Sequence, residues 1–148
     1  MYFCFNFKIY GGRQLLDPVA KNFIRMSVIY FAISALIGVH FMFSKINHHQ
    51  LFQAHVHLMM LGWMAMMIYG VGYHILPRFN GNPVAFPKLA FIHFWVANVA
   101  LVGFVGTWGI SRYGCTKVPE RIFAVMNAIG IIMFVTNILF SIRKPKED

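Results

Sequence analysis

Seven histidines are the residues of this chain best suited to chemistry, and three of them, His55, His57 and His74, fall in one stretch that carries no Asp, Glu, Lys or Arg, LFQAHVHLMMLGWMAMMIYGVGYHILP from Leu51 to Pro77. A helix of that length, at roughly 1.5 Å per residue, spans the roughly 30 Å hydrocarbon layer of a bilayer with some to spare. Ionisable groups inside such a segment are costly, face the protein interior and mark functional sites by default. Imidazole binds metals as a neutral donor and is a common axial ligand of haem iron, so the chemistry these residues suggest is metal or haem ligation. Acid-base catalysis is not suggested, because the four acidic residues, Asp17, Glu120, Glu147 and Asp148, all lie at or beyond span ends.

The composition requires a membrane setting for these groups. The 148 residues are 59% hydrophobic and 11% charged, with a mean hydropathy of +0.63, whereas a soluble domain is nearer one quarter charged. The formal charge of +9 comes from bases clustered beside apolar runs. They read as topology signals and not as a nucleic-acid surface. Cys4 and Cys115 stand far apart with no CxxC partner, which gives no support to a disulfide framework, a cysteine zinc site or a c-type haem attachment. The first fourteen residues are too short and poorly arranged for a signal peptide and read as an interfacial lead-in.

The expected architecture is all-α: a single integral membrane domain, residues 1–148, forming an up-down bundle of four transmembrane helices. Asp17 and Pro18 make a good helix opening, as N-cap and first helical residue. The spans are expected over about 26–43, 51–76, 89–110 and 122–142, with Pro77, Pro87 and Pro119 marking ends or starts. Nine Lys and Arg fall on the side of the termini and the second loop against four on the other side, which puts both termini in the cytoplasm and the protein in the cell's inner membrane. Short connections favour antiparallel neighbours. Gly62, Gly70, Gly103, Gly106 and Gly109 allow close approach of helices or of a flat cofactor, and Asn98, Asn127 and Asn137 are expected to hydrogen-bond between spans.

Helical rise converts position into depth. His57 should lie roughly 9 Å below the outer start of its span and His40 roughly 7 Å below the outer end of the first, so the two are expected level. His74 and His93 should differ by roughly 5 Å near the inner side, and His57 and His93 by roughly 15 to 20 Å, too far to share an iron. His55 and His57 point apart by roughly 200 degrees, His55 sharing its face with Gly62, Met66 and Tyr73, and His57 with Met60, Met64 and Ile68. The loop pair His48 and His49 reads as solvated, with an outer-side metal entry point as the sharper alternative.

The segment AHVHLMMLGWMAMMIYGVGYHILPRF resembles the second helix of the haem-copper oxidase superfamily, nearest to the nitric oxide reductase large subunit, and its neighbours resemble the first and third helices. The whole chain resembles short four-helix proteins labelled oxidase subunit I-like, in which an H-x-H-L-x-x-x-G-W pattern occurs; here it is His55, His57, Leu58, Gly62 and Trp63. The resemblance implies that His57, with a shift toward His55 as the alternative, ligates a low-spin haem. It also implies that the other axial ligand and the second-metal histidines come from later helices, so that a complete oxidase or reductase is not expected of this chain alone. The resulting expectation is a b-type haem protein for electron transfer or for binding of NO or O2. One haem b is held by His57 and His40, and a second is optional on His93 and His74. A homo-oligomer or a respiratory partner subunit would complete the ligand set. The rival expectations are a haem-free copper-handling or assembly protein, using the histidines with Met59, Met60, Met64, Met66 and Met67, and an accessory structural subunit.

Overall fold

The computed structural model describes residues 17–43, 49–79, 81, 83–111 and 118–143. Expectations that fall on Cys4, Lys45, His48 and Cys115 lie outside the described residues. Among the described residues five α-helices and one π-helical stretch follow one another: α1 Pro18–Phe43, α2 His49–His57, the π stretch Leu58–Ala65, α3 Met66–Phe79, α4 Pro87–Ser111 and α5 Val118–Ser141. The segment α2–π–α3 is continuous, so among the described residues four helices are long and apolar enough to cross a membrane: Pro18–Phe43, Leu51–Phe79, Pro87–Thr107 and Val118–Ser141. Only 17%, 22%, 33% and 17% of their membrane-length windows are buried within the protein. Most of each helix therefore presents Val, Ile, Leu and Phe outward, a surface for lipid and not for water.

The helix ends follow local chemistry. Asp17 caps α1, its Oδ1 accepting from the Val19 amide at 3.0 Å. Pro77 does not end α3, as the sequence suggests it would; the helix runs two residues further, to Phe79. So near the terminus the proline removes one hydrogen bond without needing a kink. The π stretch has no counterpart in the sequence reading. Its wider turns, with bonds reaching one residue further than in an α-helix, sit between His57 and Met66.

Close pairs run in opposite sequence order along neighbouring helices. Between α1 and the second span, Ile24 meets Gly70, Tyr30 meets Gly62, and Ser34 meets His55. Between α4 and α5, Phe86 meets Asn137, His93 meets Gly130, and Gly103 meets Phe123. The second span also touches α4 through Tyr73 and His93 and α5 through Gly72 and Phe134. These pairs define two ends. The base holds the start of α1, the end of α3, the start of α4 and the end of α5; the crown holds His55, His57, Gly38 and Phe104.

Four glycines serve helix packing. A Cβ on Gly62 would lie 2.8 Å from Tyr30 and on Gly72 2.8 Å from Phe134, and one on Gly103 would run into the Phe123 ring. A Cβ on Gly70 would stand 2.6 Å from Ile24 Cγ1 and 3.0 Å from the Ala20 carbonyl oxygen. Because backbone cannot move aside as a side chain can, Gly70→Ala is expected to destabilise the protein by about 1–3 kcal/mol despite the better helix propensity of alanine. A thermal unfolding series in detergent checks it.

Of Asn98, Asn127 and Asn137, two join separate elements. Asn98 accepts from the Tyr30 hydroxyl at 2.8 Å, and Asn137 both accepts from the Phe86 amide and donates to the Phe86 carbonyl. Ser141, one turn on, accepts from the Ala85 amide, so the approach to α4 is fastened to the end of α5. Asn127 donates within its own helix, to the Phe123 carbonyl.

Candidate functional site

The crown brings together His55 and His57, on opposite sides of α2. His55 is half-buried against α1: its Nδ1–H donates to the Ser34 carbonyl at 2.8 Å, and the Ser34 hydroxyl donates to the His55 carbonyl at 3.0 Å. Its ring lies over Gly38, where a Cβ would come within 3.0 Å of Cε1. His57 is half-buried toward α4, with its ring 5.0 Å from that of Phe104. Its Nδ1–H donates to the Gln53 carbonyl at 2.9 Å. In both residues the backbone carbonyl selects the tautomer and leaves the lone pair on Nε2. Metal-ligating histidines are oriented by just such a bond from the second ring nitrogen.

The two faces foreseen for α2 are present. Below His55, Gly62, Met66 and Tyr73 are buried, whereas below His57, Met60, Met64 and Ile68 are 52%, 43% and 53% exposed. Gly62 faces Tyr30 and Leu101, and the Trp63 ring lies 4.8 Å from Phe31 on α1. Gly62, Gly70, Gly72 and Gly103 are each closed off by neighbouring atoms and offer no slot for a flat ring, whereas Gly106 has nothing within 4 Å of where a Cβ would stand. The donor chemistry of His57 fits an axial haem ligand, and the space available to a macrocycle there is the outward face of the crown.

His40 is exposed on the last turn of α1. Since His55 is level with the interval between Ser34 and Gly38, His40 stands about five or six residues, roughly 8 Å, nearer the crown than His57. The two are therefore not level, although helical rise from the span ends alone suggests that they are. His49 is exposed in the first turn of α2.

His93, toward the base, is 0% exposed. Its ring is enclosed by Phe23, Tyr69, Tyr73 and Phe134 at centroid distances of 4.9, 4.6, 5.8 and 6.1 Å. Nδ1 shares a hydrogen bond of 3.0 Å with the Tyr73 hydroxyl, and Nε2, toward Gly130, has no partner among the described residues. Phe104, level with His57, is eleven positions along α4, so the two imidazoles are separated by roughly 16 Å of height, within the expected interval. His74, one position after Tyr73, is rotated by about 100 degrees and belongs to a different surface, where its Nε2 accepts from Arg78 at 2.6 Å. The described contacts do not bring His74 and His93 together.

The aromatic box was not foreseen. Its signal was the spacing Tyr69, Tyr73 on one stripe of α3, which reads equally well as ordinary core. Tyr73→Phe would leave both nitrogens of a buried imidazole without a partner among the described residues, and is expected to cost about 1–3 kcal/mol. A downward shift in melting temperature with unchanged helix content checks it.

Among the described residues no three His, Cys, Asp or Glu side chains converge to hold a metal ion. A haem iron takes fewer protein ligands than that, so the crown histidines are compatible with haem on this count.

Comparison with known proteins adds to this geometry. The model of a family described as Cytochrome C and Quinol oxidase polypeptide I matches residues 18–148. The chain is similar to a protein named cytochrome c oxidase subunit 1 from Corynebacterium diphtheriae, 30% identical over 110 residues that cover 64% of this chain and 19% of the relative. It is also similar to a Cbb3-type cytochrome c oxidase subunit CcoN1 from Stutzerimonas stutzeri, 27% identical over 100 residues, 64% of this chain and 21% of the relative. The chain thus spans about one fifth of the length of these curated relatives. No solved structure matches it significantly.

Proposed function

Since this chain belongs to the cytochrome c and quinol oxidase polypeptide I family, we propose that it is a membrane-embedded b-type haem protein that transfers electrons or binds a diatomic gas in a respiratory assembly. The observation that carries this reading is His57: an imidazole in the uncharged stretch Leu51–Pro77 of a membrane-length helix, with its Nδ1–H held by the Gln53 carbonyl, the second-nitrogen bond that orients a ligating histidine. His57 is the proposed axial ligand, and His55, oriented in the same way by Ser34, is the alternative. Bound there, haem would supply a reversible one-electron site, or an iron open to a gas, with potential and access set by axial ligation and by the polarity of the surroundings. Phe104 would keep water from one edge of the His57 ring. The exposed Met60, Met64 and Ile68 would offer apolar contact below it.

The enclosure of His93 by four aromatic rings and the outward turn of His74 favour one haem over two. The height difference between His40 and His57 favours a second axial ligand from a second copy or a partner subunit, which would also cover the outward face. The opposed order of contacts along neighbouring helices supports the up-down bundle. The excess of bases toward the base supports a cytoplasmic position for that end and for both termini, in an inner membrane.

A second reading rests on the same face. Met60 and Met64 are exposed below the half-buried His57, so one imidazole and two thioethers lie along the outward side of the second span, a donor set that suits Cu(I). An absorption spectrum and a haem-to-protein ratio of detergent-purified chain separate the two. A Soret band with sharp reduced α bands is expected. Copper by metal analysis with no Soret band, after growth with ample haem, would replace the haem reading by the copper one.

A further inference from the structure

A shallow apolar groove of about 370 Å³ runs along α3, lined by Met67, Ile68, Val71, Gly72, Ile75 and Leu76. It covers ten residues, roughly 14 Å of helix. On the same helix Met67, Val71, His74 and Arg78 fall within a stripe of about 60 degrees, so the groove's base end is marked by the imidazole and the guanidinium. Arg78 does not swing freely there, because its NH1 donates to His74 Nε2 at 2.6 Å. The surrounding base end is strongly one-signed: its described ionisable residues include Lys21, Arg25, Arg78, Lys88 and Arg143 against the single carboxylate of Asp17.

We infer that this groove and Arg78 form a site for an anionic phospholipid, with one acyl chain along α3 and the phosphate on the Arg78 guanidinium. The occupant is chosen by charge. An apolar groove alone would accept any lipid tail, but a guanidinium held at its polar end can form the forked pair of hydrogen bonds that phosphate accepts. Arg78 and the four other bases of this end favour a headgroup that lacks a compensating ammonium. The one base that meets the phosphate, Arg78, contributes about 1 kcal/mol toward an anionic lipid, about a five-fold change in occupancy.

Native mass spectrometry of the delipidated full chain tests this, with phosphatidylglycerol and phosphatidylcholine of matched acyl chains titrated in separate runs. The first is expected to be retained about five-fold more than the second. Arg78→Gln should reduce retention of phosphatidylglycerol to the level of phosphatidylcholine. Val71→Trp, which fills the groove from its lipid-facing side, should lower retention of both. Arg143→Gln, at the same end but on α5, should change neither, and circular dichroism confirms that each variant keeps its helices. Equal losses from the Arg78 and Arg143 variants would mean a diffuse charge effect and overturn the site. So would retention unaffected by Val71→Trp, or displacement of the lipid by inorganic phosphate alone.

Discussion

Purified His57→Ala protein is expected to show no Soret band, with haem content below about one tenth of the wild-type ratio, while far-ultraviolet circular dichroism and membrane insertion stay unchanged. The large effect on haem follows from what the residue does: no other described imidazole stands on the outward crown face beside Phe104. The small effect on folding follows from what it does not do. His57 is half-buried, its described hydrogen bond goes to its own helix, and alanine is the better helix former. His55→Ala, measured in parallel, should retain haem but lose stability, because it leaves the Ser34 carbonyl without that donor and opens space over Gly38. Wild-type haem content in the His57 variant together with loss in the His55 variant would move the ligand to His55.

Phe23→Ala is expected to be the most damaging substitution for stability. Phe23 is 0% exposed and lies within 5.9 Å, ring centre to ring centre, of Tyr69, Tyr73, His93 and Phe94, so it joins α1 to both α3 and α4. Removing the ring costs about 3–5 kcal/mol from lost contact and the cavity left behind. That is a large part of the stability of most domains. The expected result is a melting temperature far below that of Gly70→Ala or Tyr73→Phe, or failure to accumulate in the membrane. A shift no larger than that of Tyr73→Phe would mean that the box relaxes to fill the gap.

Much of this architecture was legible in the residues. Length and hydropathy sufficed for the four spans because lipid leaves the backbone few alternatives to a helix. Helical rotation sufficed for the opposed directions of His55 and His57, because both precede the π stretch. The height of His40 against His57 was not legible, since it depends on how Tyr30 and Ile24 settle onto Gly62 and Gly70. Nor was the fate of His93. A histidine at depth reads as a ligand until the four rings around it are seen, and those come from α1, α3 and α5, contacts that no local pattern encodes. Asn137 shows the same limit: its polarity was plain, but its two-way bond to the Phe86 backbone required knowing that the end of α5 returns to the start of α4.

The π stretch also sets a rule for how this gene segment can vary. Leu58–Ala65 lies between two anchored regions, His55 against Ser34 above and Tyr69 with Tyr73 around His93 below. Dropping or adding one codon there would rewind the turns and twist one region against the other by about 100 degrees. Either the imidazoles or the tyrosines would then be aimed at the wrong neighbour. Changes of side chain along Met59, Met60 and Met64 are compatible with the fold, whereas changes of length are not.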